Sequence, residues 1–153
     1  MTLPATTHPA NAVEPWVCLH RGHAVVRRTV ATRLHVAHGL SVNDYEALML
    51  LARADGNLMR RVDLAKELHL TASGVTRLLD GLEEQGLVSK KACTTDGRVT
   101  YAVLTKAGLK RLEQASSAHT AVIRTLFEER YTPKELTLLA ELLSKLAEPG
   151  RTI

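Results

Sequence analysis

Apolar residues recur at helical spacing through most of this chain, and capping residues or glycines mark the breaks between the runs. Residues 16–38 carry Val17, Val25, Val26, Val30, Leu34 and Val36, which predicts a long first helix closed by Gly39. Ser41 with Asp44 forms a capping-box pair, and Tyr45, Leu48, Met49 and Ala52 give the next helix one apolar side. Asp55-Gly56-Asn57 ends it. A short helix over 61–68 offers Val62, Leu64, Ala65 and Leu68 to a core, and only His69-Leu70 separates it from its successor. There Thr71 stands at the N-cap, and Val75, Leu78, Leu79 and Leu82 form a buried stripe. Gly86 supplies the C-terminal stop.

The period then changes. Residues 87–92 and 99–104 are β-rich and flank Thr94-Thr95-Asp96-Gly97-Arg98, whose Asp-Gly is a hairpin signal. Thr105 caps a further helix to about Arg130. Thr132-Pro133-Lys134-Glu135 is a capping box with proline at the first helical position. It opens a last helix bearing Leu136, Leu138, Leu139, Leu142, Leu143 and Leu146. The pattern predicts a mainly α chain with a small β-hairpin.

Two short helices joined so tightly suggest a helix-turn-helix, whose second helix enters the DNA major groove. A hairpin directly after it would reach the neighbouring backbone as a wing. A chain of 153 residues is most simply one domain, here expected over 16–148. The winged helix-turn-helix falls at 57–105. The last helix carries leucine on more than one face, and a second copy of the chain is the simplest cover for it. Residues 1–15, with Pro4, Pro9 and Pro15 among Thr, Ala and Asn, predict a mobile extension. They lack the basic start and apolar run of a secretory signal, and no stretch reaches the roughly 18–20 apolar residues of a membrane span. Two cysteines make no disulfide framework and fit the cytoplasm.

Charge sharpens this. The chain carries 20 Lys+Arg against 16 Asp+Glu, a formal +4. Residues 60–111 hold ten of the basic residues and six of the acidic ones, so the whole excess lies in the predicted helix-turn-helix, the hairpin and the turn after it. A localised basic excess is the electrostatic footprint of phosphate binding. Solvated charge on an exposed hairpin is the alternative for Lys90, Lys91 and Arg98 taken alone. No glycine-rich phosphate loop, nucleophile elbow, metal motif or convincing acid pair is present, so an enzyme is not expected, and neither is a cofactor or a metal site.

The stretch Met59–Gly108 resembles the winged helix-turn-helix of the MarR (multiple antibiotic resistance regulator) family. The matching pieces are Asp63–Leu68, Val75–Asp80, Leu82–Val88, Asp96-Gly97-Arg98 and Leu104–Gly108, in order and at family spacing. With the flanking helices the resemblance covers roughly residues 14–148. It implies a six-helix dimeric architecture, with dimerisation helices at 16–38, 105–130 and 133–147. It implies a transcriptional regulator, a repressor in the first instance, that binds double-stranded DNA at a near-palindromic operator as a homodimer. Ser73, Gly74, Thr76 and Arg77 are then expected at the major groove, with Thr71 near a phosphate. Arg77 reads a base, or pairs with Asp80 one turn on or with a phosphate. Arg98 resembles the family's wing arginine, and Asp96 the acid that orients it. Lys90 and Lys91 are expected at phosphates, one of them turned to solvent because strand residues alternate faces. Two departures stand out. Arg60 occupies a position where relatives often place a capping Thr or Ser, and Gly81 interrupts the recognition helix, where a close helix contact would be one explanation.

Many relatives release DNA when a small aromatic or phenolic anion enters a cleft between the dimer helices and the DNA-binding lobe. Trp16, His20, Arg21, His23, Arg27 and Tyr45 are the candidates for stacking and charge here, with ordinary packing the alternative for Trp16 and Tyr45. Cys18 or Cys93 could instead make the chain a thiol-based redox sensor. Cys18 has no tyrosine near it in sequence and also fits a small core position. A winged-helix module that binds protein is the remaining alternative.

Overall fold

Local capping explains where most helices of this chain begin. In a computed structural model, which describes Asn11 and residues 13–147, the elements run α1 (Val13–His38), α2 (Val42–Arg53), a single 3-10 turn (Asp55–Asn57), β1 (Leu58–Arg60), α3 (Arg61–Glu67), α4 (Ala72–Glu84), β2 (Val88–Ala92), β3 (Thr100–Leu104), α5 (Lys106–Glu128) and α6 (Pro133–Ala147). Ser41 Oγ accepts from the Asp44 amide at 3.1 Å, and the Asp44 carboxylate accepts from the Ser41 amide at 2.8 Å. Thr71 and Thr105 cap α4 and α5 by accepting from the Gly74 and Gly108 amides. At α6 the Thr132 amide donates to Glu135 at 2.7 Å, which holds the Glu135 carboxyl below its ordinary range. Gly39 and Gly86 follow their helices at φ of 65° and 71°, where a side chain would clash.

The core is built from the predicted stripes. Val30 and Leu34 of α1, Leu48 and Leu51 of α2, Leu64 of α3, and Val75, Leu79 and Leu82 of α4 are all buried, as are Leu104, Leu112 and Ala115. Helix α1 lies along α5. Arg111 of α5 donates to the His38 carbonyl at 2.8 Å and so closes the C-terminus of α1.

The predicted hairpin is part of a three-stranded antiparallel sheet in the order β1-β3-β2. Arg60 and Lys91 both lie opposite Tyr101, one on each side of β3, and Lys90 lies opposite Ala102. Strand β1 escapes the sequence reading because three residues carry too little alternation to register. It matters because it brings the start of α3 beside the wing.

Other differences are local. Helix α1 begins at Val13, so residues 13–15 are helical; the rest of the expected extension lies outside the described residues, apart from Asn11. Val62, expected in the core, is exposed, as are Val25 and Val36 of α1. On α6 the leucines at 138, 142, 143 and 146 are all exposed, Leu146 at 74%. Among the described residues no helix is long and apolar enough to cross a membrane.

Candidate nucleic-acid interface

The turn between α3 and α4 is closed by backbone bonds from His69 to Lys66 at 3.0 Å and from Leu70 to Ala65 at 2.9 Å. His69 takes a left-handed φ of 52° to make it. The outcome is a tight turn that joins α3 directly to α4. Its apolar stripe is buried at Val75, Leu79 and Leu82, with Leu78 partly covered. Thr71, Ala72, Ser73 and Arg77 are exposed, and Thr76 is half-buried. The Thr71 hydroxyl lies 3.2 Å from that of Ser73. Thr76 Oγ1 donates to the Ala72 carbonyl at 2.8 Å, which ties its rotamer to the helix while leaving its lone pairs open. No carboxylate of the described residues lies within salt-bridge distance of Arg77. The alternative partner, Asp80, is held by Lys90 instead. Gly81 has no atom near the position of an added Cβ, so a close helix contact does not explain this glycine.

The wing is seated on α5. Thr105 Oγ1 donates to the Gly86 carbonyl at 2.7 Å, the Thr105 amide donates to the Leu87 carbonyl at 3.1 Å, and Gly108 lets α5 press against that same carbonyl. Lys90 and Lys91 point to opposite faces of β2. Lys91 is exposed and has no carboxylate partner among the described residues. Lys90 turns back onto α4, where its ammonium meets Asp80 and lies 2.9 Å from Glu83; its own amide donates to Glu83 at 3.2 Å. These bonds, first to Asp80 and then to Glu83, raise its pKa above the usual lysine value. Lys90, expected at a phosphate, here braces the wing against the helix.

Asp96 also acts differently from expectation. Its carboxylate accepts from the Arg98 amide at 3.0 Å, and its carbonyl accepts from Val99 at 3.0 Å. Asp96 therefore shapes the turn through the backbone and forms no ion pair with the Arg98 guanidinium. Arg98 is exposed, and with Arg60, Arg61 and Thr100 it lines a recess of about 70 Å³ between the wing and the start of α3. Arg60 gives α3 no hydroxyl cap. Its Nε and Nη2 instead grip both oxygens of Asp63, at 2.6 and 3.1 Å. Arg61 has no such partner among the described residues. In the sequence Arg61 is only one charge of the basic excess, because the pairing of β1 with β3 is what brings it beside Arg98.

The residues proposed for ligand binding separate into three groups. His23 and Arg27 line a cleft of about 480 Å³ with Glu46, Glu67 and His69, floored by Met49, Leu50 and Leu68. Arg27 donates to Asn43 at 2.7 Å and lies 3.8 Å from Glu46. The Trp16 and His20 rings lie 5.8 Å apart and tilted, with Trp16 63% exposed, and are not in that cleft. Tyr45 is buried, stacked on His119 at 4.5 Å, with its hydroxyl 3.3 Å from Ser116, so it is a packing residue. Cys18 is exposed, not in the core. Cys93 lies in the wing loop, and a hydrogen bond with Thr95 at 3.2 Å pulls its thiol pKa down. Among the described residues no group of His, Cys, Asp or Glu is placed to hold a metal.

The sequence profile of the MarR family matches residues 38–99, the stretch from the end of α1 to the wing. The chain is 36% identical over 110 residues to the HTH-type transcriptional repressor YetL of Bacillus subtilis, covering 72% of this chain and 65% of that protein, just under two thirds of its length. Among solved structures it is similar to AbsC, a MarR family transcriptional regulator from Streptomyces coelicolor, at 31% identity and a TM-score of 0.73, covering 92% of this chain and 96% of that one. It also shares the fold of Sco3205 from the same organism, solved in complex with DNA, with a TM-score of 0.81, 24% identity, and 97% and 94% coverage.

Proposed function

The chain belongs to the MarR family of regulators, and on that footing we propose that it binds double-stranded DNA as a homodimer, represses transcription from a near-palindromic site, and is released by a small ligand. The family is one of DNA-binding transcriptional regulators, not enzymes. The observation that carries the DNA reading is the exposed face of α4, with Ser73 and Arg77 unpaired by any carboxylate among the described residues, set beside a wing that offers Lys91 and Arg98. Arg77 is our base-reading residue, and a bidentate arginine–guanine contact discriminates by about 1–3 kcal/mol. Thr71, Ser73, Gly74 and Thr76 line the approach to the groove, and Asp96 contributes by holding the wing turn.

Repression rests on the kinship with YetL, itself a named repressor. The homodimer reading rests on the exposed leucines of α6 and the exposed Val13 and Trp16 of α1, apolar surface that a second copy would cover. A two-fold pair of α4 helices would address half-sites about 34–36 Å apart. Such a protein acts in the cytoplasm, where its DNA lies.

The cleft carries the ligand reading. Its volume suits a small organic molecule. His23 and Arg27 are the groups that would meet an aromatic or phenolic anion, Arg27 by exchanging its contacts with Asn43 and Glu46. Glu67, Leu68 and His69 both line the cleft and form the turn into α4, so an occupant would bear on the pose of that helix.

The test is selection of bound duplexes from a random pool, then band-shift titration of Arg77→Ala on the selected and a random duplex. The variant should weaken the selected site more than the random one. An unchanged ratio removes Arg77 from base reading, and failure to enrich any duplex removes the DNA-binding reading itself.

A further inference from the structure

We propose that the recess between the wing and the start of α3 seats one backbone phosphate of the DNA, held jointly by Arg61 and Arg98. The inference rests on the DNA-binding reading and adds to it a contact that the sequence pattern did not indicate.

The argument is one of elimination among cations. Lys90 faces α4 and is taken up by Asp80 and Glu83. Arg60 is held by both oxygens of Asp63. Arg61 and Arg98 share the same recess with no carboxylate within salt-bridge distance among the described residues. Two arginines that line one small concavity can converge on one anion, and arginine forks suit phosphate oxygens. The recess has about 70 Å³, a size that suits a single phosphate group. Its walls come from the wing and from the first of the two short helices, the one that crosses the DNA backbone in this class of motif. A protein docked with α4 in the major groove would therefore present the recess to the flanking strand. Thr100 at its rim adds a hydroxyl.

Salt dependence tests this, because each neutralised phosphate contributes about 0.9 to the slope of log K against log salt. Fluorescence anisotropy with a mixed-sequence duplex several turns long would measure the slope for the full chain, for Arg61→Gln, for Arg98→Gln, for both together, and for Lys90→Gln. In a homodimer, one shared phosphate per protomer predicts that the double variant loses about 1.8 of slope, two contacts per dimer, while Lys90→Gln weakens binding with its slope unchanged. A double variant that loses about 3.6 means two separate phosphates per protomer, and one that loses nothing means no phosphate; either overturns the proposal. A reduced slope for Lys90→Gln would show that its ion pairs open on DNA and would undo the elimination. Thermal melts of each variant confirm that it is folded. If the parent chain shows no salt-dependent binding at all, the DNA-binding reading falls and takes this site with it, an outcome distinct from the others.

Discussion

Gly108→Ala is expected to unlatch the wing from α5. Gly108 is the third residue of that helix and is buried. A Cβ there would sit 2.0 Å from the Leu87 carbonyl oxygen, 2.8 Å from Leu104 Cδ1 and 3.0 Å from the Leu87 carbonyl carbon. The first and last are backbone atoms at the head of β2 and cannot swing aside, so α5 must lift. Lifting stretches the bonds from the Thr105 amide and hydroxyl to that carbonyl, both 3.1 Å. Overpacking of this kind costs about 1–3 kcal/mol. Two weakened hydrogen bonds add about 0.5–1.5 kcal/mol each. Against this stands a gain in helix propensity of about 0.5–1 kcal/mol. The net is a destabilisation of about 3 kcal/mol, or roughly 6–12 °C in melting temperature for a chain of this size. Gly81→Ala is the matched control. It has the same propensity gain and nothing within 4 Å to clash with, so it should raise stability by about 0.5–1 kcal/mol. Urea melts followed by circular dichroism, at one fixed protomer concentration, measure both. A Gly108→Ala protein as stable as the parent would refute the close seating of α5 on Leu87. A destabilised Gly81→Ala would refute the open space around α4.

Other substitutions probe the remaining claims. Leu142→Glu places a charge in the exposed leucine face of α6 and should convert a dimer to monomer in sedimentation while leaving the monomer's core intact; an unchanged dimer mass places the interface elsewhere. His119, stacked on Tyr45, has its pKa lowered by burial, with Glu46 opposing. Its native pKa is below the unfolded value of about 6.5, so the native state binds fewer protons, and stability should fall as pH drops below that value. His119→Gln should flatten this pH dependence, as read from urea midpoints, and an equally steep profile in the variant would assign the effect to another group. His69→Gly relieves a left-handed residue at the turn into α4 and should stabilise the chain by about 1 kcal/mol; a loss of stability would mean that the histidine ring makes contacts worth more than the strain.

What the chain's sequence settled by itself is what neighbours in sequence control. Ser41, Thr71, Thr105 and Thr132 cap the helices they were expected to cap, because a hydroxyl and an amide three residues apart need no help from elsewhere. The stripe Val75, Leu79 and Leu82 is buried because helical period alone puts those residues on one face. The polar face of α4 follows from the same geometry, and so does the alternation of Lys90 and Lys91. The tertiary structure decided which charges remain available. Lys90 and Lys91 look alike in the sequence, yet one meets Asp80 and Glu83 ten and seven residues away while the other is exposed. Arg60 and Arg61 are adjacent, yet one is held by Asp63 and the other opens toward Arg98, thirty-seven residues on, through a three-residue strand too short to announce itself. Tyr45 reads as a ligand residue in the sequence, yet α5 covers it with His119. Helical period fixes the direction of a side chain relative to its own element. Its partner depends on which other element arrives there, and that is set by the packing of the whole core.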